Sequence, residues 1–366
     1  TACGDGIACA RIPDVGSPEA FAPWDWPPPG EDRPEWIAVA AALLAASPHN
    51  TQPWRFVVSP AQVQLWRDPD RSVGALDGLA REAHLGLGCA VENLVRAAGA
   101  HGRAAEVSWL PDPSAPDHVA NVALTPADPV SDPLADAIPC RHTDRDSYSD
   151  DPIPGLAADL AELASGSDDV HLTVIEDEAR RSAFAVGTLS ATESIVADAE
   201  MWSDSHEWYR ATGEEVDRHR DGLTLAATGL GWLTRAFGNA SPNVSAESAG
   251  EYWIRGTEAR QLSGGAYVLL GTTARDDRAQ QLACGRVFQR LALWATAQGL
   301  SVQPLNQMPE QQDRDQGLGR GVTWRDRLAA LVDPPAEQGV QMALRIGWPR
   351  GSAPFASPRR PVAWVT

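Results

Sequence analysis

The residues best suited to chemistry lie in one short loop, Ala45 to Phe56, which reads A-A-S-P-H-N-T-Q-P-W-R-F. It follows an apolar helical run and precedes an apolar strand-like run. Two prolines restrict its backbone, while its hydroxyl, imidazole and amide groups can donate and accept hydrogen bonds. A rigid turn braced by a core tryptophan would have this composition, and so would a loop that presents short polar groups to a flat ligand. The loop alone leaves both interpretations open.

A second cluster of chemically capable residues begins directly after Cys140 and reads R-H-T-D-R-D-S-Y-S-D-D-P-I-P. Arg141 and Arg145 flank Thr143 in this segment. Two guanidiniums and one hydroxyl are groups that can clamp a phosphate. Local ion pairs with the neighbouring aspartates, which contribute little on a surface, would explain the same residues. These residues alone do not decide between the two.

The composition excludes several classes of function. The chain has 366 residues and a net charge of −19, from 30 cations and 49 carboxylates. An acidic chain with no basic run argues against nucleic-acid binding and against adhesion to anionic membranes. Every cation is an arginine, so the chain cannot form a lysine Schiff base, a Walker A loop or an S-x-x-K acyl-enzyme. Any phosphate must therefore be held by arginines, helix N-termini or hydroxyls.

The five cysteines have no spacing typical of a zinc site, and no metal site is predicted. Cys89 and Cys284 lie in apolar helical runs, which predicts buried thiols. The T-A-C-G-D-G start resembles the lipidation point of a bacterial lipoprotein at Cys3; a free cysteine or a Cys3–Cys9 loop is the alternative. We therefore expect a cytoplasmic protein, or an exported lipoprotein if Cys3 is lipidated. No apolar stretch is long enough to span a membrane.

The elements that must position these residues alternate between helices and strands. Hydrophobic periodicity and turn residues predict helices at 33–46, 77–101, 156–163 and 277–298, one long helix or a pair of helices at 176–201, and strands at 55–66, 104–109, 119–125, 170–175, 268–272 and 340–347. The predicted fold class is α+β. We expect an extended N-terminal arm at 1–32, which packs through Trp24 and Trp26, and two further units at 33–135 and 136–366.

Two long helices carry an internal repeat. With a constant offset, Leu85 matches Leu282 and Gly88 matches Gly285, and the match continues at Leu94 and Leu291, Ala98 and Ala295, and Gly102 and Gly299. Short apolar helices can match by chance, but both of these are flanked by strands in the same order. The repeat favours a duplicated unit whose two copies pack as a homodimer does.

The segment 202–256 within the second unit is an insertion rich in aromatic residues. Its aromatic and imidazole side chains include Trp202, His206, Trp208, Tyr209, Trp232, Phe237, Tyr252 and Trp253. It can be a packing element of the core, or a lid that closes over a ligand.

Together, these features resemble the nitroreductase family of FMN enzymes, in the Acg-type branch known from actinobacteria. The family signature R-x-[ST]-x-R, followed by an aromatic and P-[IV]-P, is similar to Arg141, Thr143 and Arg145, with Tyr148 one place later than usual. The family loop A-P-S-x-x-N-x-Q-P-W-x-F is similar to residues 46–56. The family strand–loop G-[IL]-x-x-x-P-x-x-G is similar to residues 299–307, and a C-terminal basic pair is present at 359–360.

The resemblance implies a nitroreductase-like fold with two similar α/β halves in one chain, packed as a pseudo-homodimer, and a monomer in solution. Family dimers build the FMN site from both subunits, so here the arginine segment and the loop would meet at one site. The second half reads A-S-G-S-D-D-V-H-L where the first half has its loop. We therefore expect one FMN per chain.

The resemblance also implies roles for individual residues. Arg141, Thr143 and Arg145 would hold the FMN phosphate and ribityl chain, with a further cation from Arg359 or Arg360. The isoalloxazine would be lined by Ser47, Pro48, His49 and Asn50, and its reactive edge by Pro304, Leu305, Asn306 and Gln307. No catalytic side chain is predicted.

The implied reaction is a ping-pong hydride transfer from NAD(P)H, through FMN, to a small aromatic, nitro or quinone acceptor. No G-x-G-x-x-G follows a strand, so the nicotinamide would bind as a passing substrate. The alternative is a flavin-sequestering protein whose lid keeps FMN enclosed. A third possibility is a cofactor-free exported scaffold in which the arginines form only ion pairs.

Overall fold

A computed structural model describes residues 10–13, 15–228, 246–332, 339–351 and 353–366. Its first sheet has four antiparallel strands: β1 (Trp54–Ser59), β2 (Gln62–Arg67), β3 (Arg103–Trp109) and β4 (His118–Pro126), in the order β1-β2-β4-β3. Helix α1 (Pro34–Ala42) precedes β1, and helix α2 (Arg81–Ala100) connects β2 to β3. The single strand predicted at 55–66 is wrong. It is a hairpin, because Pro60 restricts φ and favours a turn between Ser59 and Gln62.

The second sheet repeats this arrangement. Its strands are β5 (Val170–Ile175), β8 (Ala266–Thr272), β9 (Ser301–Pro304) and β10 (Gly339–Gly347), in the order β5-β8-β10-β9. Helix α4 (Leu156–Ala164) precedes its first strand, and helix α9 (Arg278–Ala297) connects its second strand to its third. Both halves therefore have the same order of helices and strands, and the α+β pseudo-dimer predicted from the repeat is confirmed.

The two long helices α2 and α9 cross at the glycines of the repeat. A methyl group on Gly88 would lie 2.1 Å from the Leu282 carbonyl oxygen, and one on Gly285 would lie 2.1 Å from the Leu85 carbonyl oxygen. The repeat pairs Leu85 with Leu282, and these are the two residues that the glycines contact: Gly88 meets Leu282, and Gly285 meets Leu85. This reciprocal contact is what a two-fold axis between two copies requires, and only glycine allows the backbones to approach so closely.

The other helices are α3 (Pro133–Asp136), α5 (Glu178–Ala197), α6 (Ala199–His206), α7 (Gly213–His219), α8 (Ala246–Gly256), α10 (Gln307–Gly317) and α11 (Thr323–Ala329). Of the two alternatives predicted at 176–201, the structure has the pair of helices, α5 and α6. Asp198 accepts backbone hydrogen bonds from Glu200 and Met201 and so begins the second helix. The short strands β6 (Tyr209–Arg210) and β7 (Leu223–Thr224) pair in parallel inside the insertion.

The described part of the N-terminal arm packs against the body through its tryptophans. The Trp24 indole donates to the Ser357 carbonyl oxygen at 2.8 Å, and the Trp26 indole to the Ile37 carbonyl oxygen at 3.0 Å. Cys89 and Cys284 are buried free thiols. The predictions for Cys3, Cys9, Trp232 and Phe237 fall outside the described residues. Within the described ranges, no helix is both long and apolar enough to cross a membrane.

Candidate functional site

Residues from both halves line one cavity of about 850 Å³. Its wall includes all but two of the residues proposed for FMN: Ser47, Pro48, His49, Asn50, Arg141, Thr143, Arg145, Pro304, Asn306, Gln307 and Arg359. These positions are separated by up to about three hundred residues in sequence, and the packing of the two halves brings them together.

Leu305 and Arg360 lie outside the cavity wall. Leu305 is fully buried in an apolar cluster beneath the second sheet, because alternate residues at the end of β9 face opposite sides. The Arg360 guanidinium donates to the Trp364 carbonyl oxygen at 2.9 Å, and its backbone N–H donates to Gln52 Oε1 at 2.9 Å. Of the two C-terminal arginines, only Arg359 reaches the cavity.

Arg141 and Arg359 form a basic end of the cavity. Both are buried, at 4% and 3% exposure. Arg141 donates to the Leu44 carbonyl oxygen at 3.2 Å, and Arg359 donates to Asn50 Oδ1 and, at 3.4 Å, to the Ala45 carbonyl oxygen. Among the described residues, neither guanidinium has a carboxylate partner, and the Nε of each has no hydrogen-bond partner.

The electrostatics of this end follow from burial without a counter-charge. Burial lowers the pKa of Arg141 to about 10. Burial, followed by the charge of Arg141, lowers the pKa of Arg359 well below its usual value. Arginine side chains remain protonated in proteins, so this end carries two positive charges. Because an isolated buried charge is costly, this end of the cavity is suited to an anion.

The arm and the arginine segment close the basic end. The Trp24 ring lies 4.7 Å from the Arg359 guanidinium and 4.0 Å from the His142 ring. Burial, then the charges of Arg141 and Arg359, lowers the pKa of His142 well below its usual value. His142 is therefore neutral and adds no third charge.

Arg145, the second arginine of the R-x-T-x-R segment, also lines the cavity but makes a different contact. Its Nη1 donates to the Ala227 carbonyl oxygen at 3.0 Å, in the insertion. Burial lowers its pKa. The partner of Arg141 at the basic end is therefore Arg359, which is distant in sequence, whereas Arg145 is directed toward the insertion.

The loop at 46–52 has an unusual backbone that depends on tertiary contacts. His49, Asn50 and Gln52 all have positive φ, between 45° and 56°, a conformation that costs non-glycine residues about 1–2 kcal/mol each. The Asn50 amide donates to the carbonyl oxygens of Gly222 at 3.1 Å and Pro358 at 2.9 Å. The loop is therefore held in its bent form by the insertion and by the C-terminal segment.

Several groups of this loop are already engaged. Ser47 Oγ accepts from the Gln52 backbone N–H at 3.1 Å, and Asn50 Oδ1 orients Arg359. His49 Nε2 lies 2.8 Å from Ser205 Oγ, and burial followed by the charge of Arg145 lowers the His49 pKa to about 4. Trp54 is fully buried and supports the turn from below. Asn50 acts here mainly as a brace for the basic end.

A polar end of the cavity was not predicted from the sequence. It is formed by Glu82 of α2 and by Gln307 and Glu310 of α10, all of which are buried. Glu82 lies one helical turn before Gly86, which packs against Ser47, so helical spacing could have indicated it. No sequence signal indicated Glu310, because α10 itself was not predicted.

The insertion contributes an aromatic wall, formed by Trp202, His206, Tyr209, Tyr252 and Trp253. The rings of Trp202 and Trp253 lie 5.9 Å apart and 21° from parallel. Trp208 faces away from the cavity, where its indole donates to the Ser72 carbonyl oxygen at 3.1 Å. The described part of the chain contains no group of histidine, cysteine or acidic side chains suited to a metal ion.

Comparisons with known proteins identify relatives of this chain. No family profile matches the sequence. Two proteins of Mycobacterium tuberculosis strain H37Rv, "Putative NAD(P)H nitroreductase" acg and Rv3131, are each 30% identical to the chain. The alignment with acg covers 89% of this chain and 92% of the relative, and that with Rv3131 covers 88% of each.

Solved nitroreductase structures are also similar to this chain. A nitroreductase with bound FMN from Bacteroides fragilis has a TM-score of 0.38 at 13% identity, covering 64% of this chain and 98% of its own. An FMN-dependent nitroreductase from Mycobacterium smegmatis in complex with NADPH has a TM-score of 0.35 at 17% identity, covering 62% and 93%. The relationship to acg, over nearly the full length of both chains, places this protein in the nitroreductase family, in the branch of acg.

Proposed function

We propose that this protein is an FMN-dependent oxidoreductase, which uses NAD(P)H to reduce a small aromatic, nitro or quinone acceptor by ping-pong hydride transfer. The observation that carries the proposal is the pair of buried guanidiniums, Arg141 and Arg359, at one end of a cavity shared by both halves. The names of the acg-type relatives supply the reductant, NAD(P)H.

The basic end fits a phosphate monoester. Such a phosphate carries about −1.5 to −2 charges at pH 7, which would neutralise two guanidiniums that have no carboxylate partner. The Nε atoms of Arg141 and Arg359 are buried and unpaired, so they are available as donors. Arginine binds phosphate oxygens in a bidentate manner, which a chain without lysine can use instead of ammonium groups. Thr143 would add a hydroxyl donor.

The rest of the cavity would hold the flavin ring. When bound, FMN supplies the redox chemistry by accepting a hydride and passing electrons on. The protein would position the ring between the loop at 47–50 and the segment of Pro304, Asn306 and Gln307. His49 is neutral, so it would contribute shape and hydrogen bonding but no positive charge. The aromatic wall would exclude water from the reacting face.

A single flavin per chain is part of the proposal. The second half has S-G-S-D-D between α4 and β5, without the proline and amide residues of the first loop. The pseudo-symmetric counterpart of the site therefore lacks the groups that line the cavity.

Flavin sequestration is the second candidate function, and the aromatic wall favours it. Residues of the insertion line the cavity together with the predicted FMN contacts, and they would restrict the entry of a nicotinamide. In that case the protein would bind FMN with little turnover.

One experiment separates these functions. The purified protein is examined by visible spectroscopy, and NADPH is then added without oxygen. A yellow protein that bleaches and is re-oxidised by a quinone or nitroarene supports the reductase. A yellow protein that is inert to NAD(P)H but bleached by dithionite supports sequestration. A colourless protein that takes up no added FMN contradicts both.

The phosphate assignment has its own test. The double variant Arg141→Ala with Arg359→Ala should lose FMN on gel filtration, while Arg350→Ala, which changes an exposed arginine, should retain it. Retention of FMN by a folded double variant would mean that the phosphate lies elsewhere.

A further inference from the structure

The polar end of the cavity contains two buried atoms without partners in the described part of the chain, and the proposed function gives Glu310 no role. Gln307 and Glu310 lie one turn apart on α10, line the cavity, and are 5% and 7% exposed. Glu310 Oε2 and Gln307 Oε1 have no hydrogen-bond partner among the described residues. Unpaired buried polar atoms cost free energy, so these two atoms mark a position where a ligand would be stabilised.

Glu310 lies in a cluster with more carboxyl groups than guanidiniums. The charged groups that face it from α2, from the turn before α2, from the β8–α9 connection and from its own helix are Asp77, Arg81, Glu82, Arg275 and Asp313. Asp313 binds both guanidiniums: Arg81 Nε lies 2.7 Å from its Oδ2, and Arg275 binds its Oδ1. The two cations are therefore already paired, and neither forms an ion pair with Glu310.

These surroundings favour the neutral form of Glu310. Burial, followed by the charge of Glu82, raises the pKa of the Glu310 carboxyl well above its ordinary value. A protonated carboxyl group has an O–H bond that can donate, unlike a carboxylate. The neutral form of Glu310 can therefore donate from the cavity wall, where its Oε2 has no partner within the described protein.

A flat aromatic surface lines the same cavity as this acid. Gln311, adjacent to Glu310, donates to Met201 Sδ at 3.5 Å, which joins α10 to α6. Trp202, adjacent to Met201, is nearly parallel to Trp253 in the cavity wall. A planar aromatic molecule can stack on such rings. The donor and the stacking surface therefore line one cavity, whose wall α6 and α10 both form.

On the basis of the proposed reductase function, we propose that Glu310 is the proton donor to a flat quinone-type acceptor that stacks on Trp202 and Trp253. Reduction of a quinone to a hydroquinone requires one hydride and one proton. The hydride, with both electrons, comes from the reduced cofactor. The Oε2–H bond of Glu310 breaks, its proton forms an O–H bond on the quinone oxygen, and the carboxylate regains a proton from solvent.

The test uses the FMN-loaded protein, reduced with dithionite so that NAD(P)H is not required. Oxidation by 1,4-benzoquinone is compared with oxidation by ferricyanide, which takes electrons without a proton, in a stopped-flow instrument. Glu310→Gln should slow the quinone reaction about 10²-fold or more, in the range of general acid catalysis, and leave the ferricyanide reaction unchanged. Glu310→Asp, which keeps the acid, should recover part of the rate. Glu258→Gln, at an exposed position, should behave as wild type.

A second readout does not depend on turnover. Infrared difference spectra between the wild-type and Glu310→Gln FMN-free proteins should show the loss of one carbonyl stretch of a protonated carboxyl group, and this band should persist in Asp77→Asn and Glu82→Gln. Loss of the band together with a selective loss of the quinone rate supports the proposal. A wild-type quinone rate in Glu310→Gln, or equal slowing with both acceptors, overturns it. If the wild-type protein takes up no FMN, the proposed function itself fails, whatever the infrared result.

Discussion

Replacement of Arg141 by methionine should affect stability and cofactor binding in opposite directions. The substitution keeps an unbranched side chain of similar length and removes the charge. In the FMN-free protein Arg141 is 4% exposed and has no carboxylate partner among the described residues. Arg141→Met should therefore stabilise the FMN-free protein, whereas it should weaken the binding of FMN.

The magnitude follows from the electrostatics of the basic end. Burial lowers the Arg141 pKa to about 10, and at about 1.4 kcal/mol per pKa unit this corresponds to a cost of roughly 3 kcal/mol in the folded state. The variant also loses the hydrogen bond to the Leu44 carbonyl oxygen, which contributes about 1 kcal/mol. The free energy of unfolding without FMN should thus rise by about 2 kcal/mol. Loss of a charged contact to phosphate, about 1.5–3 kcal/mol, should raise the Kd for FMN roughly 10- to 150-fold.

Two measurements check this expectation. Chemical denaturation of the FMN-free protein gives the free energy of unfolding, and a flavin-fluorescence titration gives the Kd. Arg350→Met, at an exposed position, should change neither quantity appreciably. A less stable FMN-free Arg141→Met protein with an unchanged Kd would refute both the burial cost and the phosphate contact.

Three further predictions concern the frame around the cavity, and each is checked by chemical denaturation. Gly88→Ala should lower the free energy of unfolding by roughly 1–3 kcal/mol or more, because its methyl group would meet the Leu282 carbonyl oxygen at 2.1 Å. The control Gly99→Ala changes a position on the same helix with open space, and should raise the free energy of unfolding by up to about 1 kcal/mol. Glu92→Gln should lower the free energy of unfolding by about 3–5 kcal/mol, because this buried carboxylate of α2 binds two guanidiniums of α9 and one of α2 itself. An unchanged free energy of unfolding would contradict this role. Burial, followed by the charge of Glu82, raises the pKa of Asp77 to about 7. Between about pH 4 and 7 the folded state therefore holds a proton that the unfolded state has lost, so the free energy of unfolding should fall as the pH rises through this window. Asp77→Asn should flatten this fall, and an unaltered slope would contradict the assignment.

The frame of the fold was largely accessible from periodicity. The long helices and the strands at 104–109, 119–125, 170–175, 268–272 and 340–347 were predicted close to their observed bounds, because a buried face repeats at 3.6 or 2 residues in the sequence itself. Helix α10 was not predicted. Its sequence Q-M-P-E-Q-Q-D-R-D-Q-G has no apolar stripe, and its burial depends on polar contacts made by distant parts of the chain.

The sequence by itself determined the duplicated frame and the residue types of the site. The repeat, which includes the glycines at 88 and 285, predicted two packed copies. The resemblance of the loop at 46–56 and of the segment at 141–145 to a known family implied that the two meet at one site. These signals are local, since turn chemistry and helical spacing are encoded within a few residues.

Only the tertiary structure decided which groups meet. It brought Arg359 beside Arg141, directed Arg145 to the insertion, and made Asn50 a brace for Arg359. It also buried Glu310 with more carboxyl groups than guanidiniums around it. Charge state depends on burial and on neighbours two or three hundred residues away, and those neighbours are set by how the two halves pack. The loop around Ser47 is therefore readable in sequence as half of a site, while the electrostatic character of the cavity belongs to the folded chain.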